Sequence, residues 1–122
     1  MLIEFIQPNF TFQDERGKLT QLIRAGFKQV NVIESKAGAL RGGHYHKVNR
    51  EAFYIIYGTV VFTASQNGQE ETHTFSDGDM FLVPAEVSHS FDFQTDTLLV
   101  SLYDQGVELE DGSKDIHVTP KV

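Results

Sequence analysis

Polar and apolar residues alternate in short runs along most of the chain, and no stretch repeats at the 3.6-residue spacing of an amphipathic helix. Residues 29–35 read Gln-Val-Asn-Val-Ile-Glu-Ser, a strand with one face in and one face out. Runs rich in Val, Ile, Phe, Tyr and Thr follow at 51–57, 59–66, 69–75, 80–83, 89–94 and 97–103, each cut from the next by a turn, and a short last run lies at 116–118. Before them, 19–24 is the first clear strand after an irregular start. Asn67-Gly68 suits a two-residue type I′ turn, in which both central residues take positive φ. That turn predicts Phe62 opposite His73 and Val60 opposite Phe75. Asp77-Gly78 predicts a second turn. Eight to ten short strands and no helix predict an all-β fold, a closed barrel or small sandwich, as one domain over 1–122.

Composition narrows the chemistry. Ten Lys and Arg against 17 Asp and Glu give a net charge of -7, which disfavours nucleic acid and anionic membranes as partners. A local Arg or Lys still leaves room for a small anionic ligand. There is no cysteine, which excludes disulfides, thiolate metal sites and cysteine nucleophiles and makes the cytoplasm the expected location. The start, Met1-Leu-Ile-Glu-Phe-Ile-Gln-Pro8, has neither the basic region nor the apolar run of a signal peptide. No window approaches the ~20 apolar residues of a membrane helix. What stands out is the placement of ten glycines and five histidines.

From Gly38 to Gly58 the spacing is G-x5-H-x-H-x4-E-x6-G, and from Gly78 it is G-x5-P followed by His89. His44 and His46, two apart, share one face of a strand, and Glu51 opens the next. A turn at Pro84 returns the chain so that His89 points inward beside Phe91 and Phe93. Three imidazoles and a carboxylate suit one divalent transition metal (zinc, manganese, iron, nickel or cobalt), with positions left for water or substrate. His73 and His117 fit no pattern and are expected to be structural or surface residues.

These residues resemble the cupin superfamily, whose first motif is met at Gly38, His44, His46, Glu51 and Gly58 and whose second is met at Gly78, Pro84 and His89. The sequence departs at Glu86, where glycine is usual, and at Phe93, where asparagine is usual. The resemblance implies a single small double-stranded β-helix, or jelly-roll, with motif 1 at 38–58 and motif 2 at 78–93. Asp14-Glu-Arg16-Gly17, Gln29-Val-Asn-Val and Leu40-Arg41-Gly-Gly-His44-Tyr-His46-Lys47 narrow it further. They are similar to the cupins of nucleotide-sugar metabolism: the dTDP-4-dehydrorhamnose 3,5-epimerases, the dTDP-4-keto-6-deoxyhexose 3,4-ketoisomerases and the cupin domain of capsular polysaccharide enzymes. His44 matches the base of the epimerases and Arg41 the arginine before it. His46 agrees with the ketoisomerases, and Glu51 with the capsule enzyme, which keeps the metal set. The dehydrogenase domain that accompanies the cupin there has no counterpart in these residues.

The resemblance implies proton transfer beside a sugar ketone, on a substrate carrying a nucleoside diphosphate. Such a step needs a base with a pKa near 7 and a group that stabilises the enolate. His44 serves either as a metal ligand or as that base, and without a metal His44 and His46 can both act directly. If it is a ligand, Tyr54, Tyr57, Glu86 and Lys47 are the remaining candidates. Arg16, Arg41 and Lys47 are the cations expected to meet the diphosphate. The favoured expectation is therefore an isomerase or epimerase of a nucleotide-activated keto sugar in polysaccharide biosynthesis. A metal-dependent dioxygenase and a non-catalytic cupin that binds a small ligand are the competing expectations. A homodimer is expected through the apolar N-terminal segment 2–12.

Overall fold

Strand pairing accounts for all the regular structure of the computed structural model, which describes residues 1–120. The first sheet orders its five strands β1 (Glu4–Ile6), β9 (Met80–Val83), β6 (Glu51–Tyr57), β11 (Thr97–Tyr103) and β4 (Gln29–Ser35). The second orders β12 (His117–Val118), β5 (Leu40–Tyr45), β10 (Ser88–Phe93), β7 (Val60–Gln66) and β8 (Gln69–Phe75). A separate hairpin joins β2 (Phe10–Asp14) to β3 (Gly17–Gln21). All the pairings between these strands are antiparallel. The all-β expectation holds, with twelve strands rather than eight to ten.

Alternation sets which face each strand buries. Phe53, Ile55, Phe81, Val83 and Leu99 of the first sheet meet Val60, Phe62, Phe75, Phe91 and Phe93 of the second in one core. Phe81 stacks on Phe75 with ring centroids 4.0 Å apart. The outer face of the first sheet is also covered: Ala52, Met80, Leu82, Val100 and Leu102 lie under Leu22, Ile23 and Phe27. These last three are in the segment between β3 and β4, so the strand expected at 19–24 ends at Gln21 and its tail becomes a cover instead. The irregular start contains two strands, β1 and β2.

The hairpin at Asn67-Gly68 forms as expected, with φ of 51° and 80° at its two residues. Phe62 faces His73 and Val60 faces Phe75. No helix among the described residues is long and apolar enough to cross a membrane.

Candidate functional site

A glycine pair decides the geometry of the site. On β5, Arg41 pairs with Phe91, Gly42 with Ser90 and His44 with His89, so Gly43 is an extra residue, a β-bulge. Strict alternation would put Arg41 and His44 on opposite faces. The bulge turns both inward. Gly42 has φ +102°, and a Cβ there would lie 2.6 Å from the His89 carbonyl oxygen. The Gly43 N–H is held by Ser90 Oγ at 3.0 Å.

A cavity of about 380 Å³ opens between the two sheets at this point. Its walls include Ile33, Phe53, Phe91, Phe93 and Leu99; its polar groups are Arg41, His44, Glu51, His89 and Tyr103. His46 lies just behind, buried, with its ring 5.3 Å from that of His44 and 5.2 Å from that of His89. Glu51 Oε1 is 2.9 Å from His46 Nε2 and 3.4 Å from His89 Nε2. Ser101 Oγ donates to the other carboxylate oxygen.

Hydrogen bonding fixes which ring atoms face inward. His46 Nδ1 meets the Asp115 carbonyl, and His89 Nδ1 meets the Val87 carbonyl. A carbonyl only accepts, so both Nδ1 atoms carry protons. In neutral rings the Nε2 lone pairs then turn toward Glu51 Oε1, itself an acceptor. Three acceptors converging in a buried space call for a cation among them, either a proton or a metal. The ligand atoms of His44, His46 and His89 lie within 4.8 Å of one another. Imidazole nitrogen and carboxylate oxygen are donors that borderline divalent metals accept, and backbone carbonyls behind the rings are the usual outer support of such ligands. The residues therefore fit a divalent transition metal.

The charge states follow from the same contacts. Burial opposes ionisation of Glu51, but hydrogen bonds from His46, His89 and Ser101 hold it near 2, as carboxylate. Burial disfavours charge on His46 too, yet the contacts to Glu51 and Asp115 hold its pKa above the usual imidazole range. His44 goes the other way: burial, then the neighbouring His89 and His46, lower it to about 4, so it is neutral at pH 7. Burial and the Glu51 carboxylate push the Tyr103 phenol up, so its hydroxyl keeps its proton. Arg41 donates to Ser35 Oγ at 2.8 Å and to the Glu34 carbonyl at 3.2 Å, both uncharged, so its positive charge at the cavity wall is not neutralised by them.

Several expected site residues lie elsewhere. Tyr54 packs on the outer face of the first sheet with Ala52 and Val100, because Glu51 and Phe53 take the inward parity of β6. Tyr57 is exposed at the far end of that strand, by Glu34, Ser35 and Asp96. Glu86 lines a separate surface depression with Tyr45 and Ser88. Its φ of 73° is left-handed, the conformation for which glycine is usual at that motif position. Lys47 is exposed, its backbone N–H tied to Asp115 Oδ1. Arg16 pairs with Asp14 at the tip of the detached hairpin. His73 bonds Glu71 and stacks on Phe75, and His117 bonds Asp115; neither lines the cavity. Tyr103 and Ser101 were not expected in the site. They pair across the sheet with Glu51 and Phe53, contacts between positions about 50 apart that no local spacing reveals.

The fold has relatives. A 3,4-ketoisomerase from Helicobacter canadensis superposes with a TM-score of 0.78 at 17% identity, covering 92% of this chain and 89% of that one. A sugar 3,4-ketoisomerase from Thermoanaerobacterium thermosaccharolyticum, solved in complex with TDP, gives 0.75 at 20% identity, covering 84% and 80%. Over 72 residues the chain is 29% identical to 3-hydroxyanthranilate 3,4-dioxygenase of Danio rerio, which is 59% of this chain but only a quarter, 25%, of that protein. The model of a family described as the polysaccharide biosynthesis C-terminal domain matches residues 12–105. With those 94 of 122 residues matched, the chain is a cupin-fold member of the polysaccharide biosynthesis C-terminal domain family.

Proposed function

We propose that this chain is an isomerase or epimerase of a nucleotide-activated keto sugar in polysaccharide biosynthesis. The observation that carries the reading is one cavity with imidazole and carboxylate at its end and the Arg41 guanidinium on its wall. The sugar ring enters between Phe53, Phe91, Phe93 and Leu99, apolar walls suited to a deoxygenated ring and able to exclude water. Arg41 meets the diphosphate. The ketoisomerase fold, in one relative with TDP bound, supports this class of substrate. A cytoplasmic setting and a homodimer belong to the same reading.

His46, Glu51 and His89 would hold one divalent metal, since Glu51 touches both of these histidines. When bound, that metal supplies a Lewis acid at the substrate ketone. His44, which faces the same cavity, takes the proton beside the ketone onto a ring nitrogen. The Tyr103 hydroxyl donates to the oxygen on which charge develops. The test is solvent deuterium entering a 4-keto-6-deoxy nucleotide sugar, followed by NMR. Exchange at the carbon next to the ketone is expected; a panel of such sugars with no exchange above the no-protein control overturns the reading.

A second reading, a metal-dependent dioxygenase, draws on the similarity to the Danio rerio protein and on the two-histidine, one-carboxylate set. Oxygen consumption by the iron(II)-loaded protein with 3-hydroxyanthranilate, without sugar exchange, would favour it.

A further inference from the structure

Asp115 lies in the segment between β11 and β12, and its side chain is 1% exposed. No lysine or arginine pairs with it among the described residues; its only ion pair is with His117. Its carboxylate instead collects N–H groups from the loop that joins β5 to β6. Oδ1 accepts from Lys47 N at 2.8 Å, and Oδ2 accepts from Val48 N, Asn49 N and Asn49 Nδ2, each at 2.9 Å. Asn49, fully buried, passes the tie onward: its Oδ1 accepts from Gln105 N and Gly106 N, and its Nδ2 also donates to the Gly106 carbonyl. The β5–β6 loop is thus fastened to both ends of the segment between β11 and β12.

That loop begins beside His46 and ends at Glu51, two of the converging groups. The same residue that closes the loop also holds the His46 ring. The backbone carbonyl of Asp115 is 2.5 Å from His46 Nδ1. Burying a carboxylate costs several kcal/mol unless its hydrogen-bond capacity is filled, as it is here. A neutral turn residue would close a loop at lower cost. What the carboxylate adds is rigidity in both position and direction: its four N–H bonds fix the chain at Asp115, and so fix the carbonyl that aims the ring.

We propose that Asp115 is a positioning residue for metal binding: by clamping the 47–49 loop it sets its own carbonyl against His46 Nδ1, holds the proton there and leaves Nε2 as the ligand atom. This rests on the reading of His46 as a metal ligand. Outer partners of this kind typically change metal affinity 10–100-fold.

The experiment uses the full chain, wild type and Asp115→Asn, with Asn49→Ser as a comparison. Asn49→Ser loosens the same loop but leaves the carboxylate bonded to Lys47, Val48 and Asn49 N–H. Cobalt(II) titration followed by its visible absorption reads affinity. NMR of 15N-histidine-labelled, metal-free protein reads the proton on His46 Nδ1. Wild type is expected to show a slowly exchanging Nδ1 proton on His46 and to bind one cobalt. Asp115→Asn is expected to lose that protection and to bind cobalt 10–100-fold more weakly. Asn49→Ser is expected to melt earlier while keeping both. Equal loss of affinity and of the protected proton in the two variants would make Asp115 a loop fastener only and overturn the proposal. So would cobalt affinity and Nδ1 protection unchanged in Asp115→Asn. If Asp115→Asn does not fold, wild type alone decides: an unprotonated or rapidly exchanging His46 Nδ1 overturns the proposal, and a protected one supports it. Failure of wild type to bind any cobalt overturns the metal reading, whereas the Nδ1 proton, read without metal, judges the clamp separately.

Discussion

At the scale of single residues, the site divides its imidazoles by what each one touches. Glu51 Oε1 reaches His46 and His89 and makes no ion pair with His44. The division has opposite consequences for two substitutions. His44→Ala is expected to reduce deuterium exchange into a keto sugar by about 10²–10⁴-fold, the usual worth of a positioned base. It should leave stoichiometric metal in place. His89→Ala is expected to weaken metal binding by on the order of 100-fold or more, beyond the loss of an outer partner. Metal analysis of the two purified variants decides: loss of metal from His44→Ala makes it a ligand and removes it as the base. Arg41→Ala should leave the metal in place and raise the concentration of nucleotide sugar needed for half-maximal exchange; its hydrogen bonds to Ser35 and Glu34 join β5 to β4, an outer strand of the first sheet, so a small fall in melting temperature is expected with it.

At the scale of elements, the bulge in β5 is the feature on which the site depends. Alanine at Gly42 would press its Cβ to 2.6 Å from the His89 carbonyl and 2.8 Å from Ser90 Cα, both backbone atoms that cannot rotate away. Gly42→Ala is therefore expected to cost about 1–3 kcal/mol through overpacking and to displace His89. Differential scanning calorimetry should show a fall of roughly 4 °C per kcal/mol for a chain of this size. An unchanged melting temperature would mean the bulge relaxes freely. Strands at 51–57, 80–83 and 97–103 were legible in the sequence because most of their apolar positions pack into one of the two clusters, and 29–35 and 69–75 were legible from alternation and turns, with Ile33 and Phe75 as their contributions to the core. β2 was not, because Phe10 and Phe12 point away from the core and carry no burial signal. The histidines and Glu51 were legible from spacing alone. The inward turn of Arg41 was not, since a parity argument does not anticipate the extra Gly43. Tyr54 could have been set aside by parity with Glu51. Tyr103 and Asp115 could not have been found, because their partners come from strands and loops some 50 or 70 positions away.

At the scale of the whole molecule, the β2–β3 hairpin is joined to neither main sheet. Register places Phe10, Phe12 and Leu19 on one of its faces, and they are 51%, 50% and 57% exposed. A two-stranded hairpin without a packed face is at best marginally stable in water. β4, an outer strand of the first sheet, likewise turns Val30 and Val32 outward at 59% and 67% exposure. Both surfaces are apolar, and an unpaired sheet edge is a template for a further strand. A second copy of the chain would cover both and pair the edge, which refines the expected homodimer: the hairpin, rather than one continuous 2–12 edge, becomes the contact. Light scattering on a sizing column should then give twice the 13.8 kDa chain mass. Phe12→Lys with Leu19→Lys should give the single mass with the β-sheet circular dichroism retained, because neither side chain contributes to the core. A wild-type chain that elutes at its single mass at micromolar concentration would mean that the hairpin face stands in water uncovered.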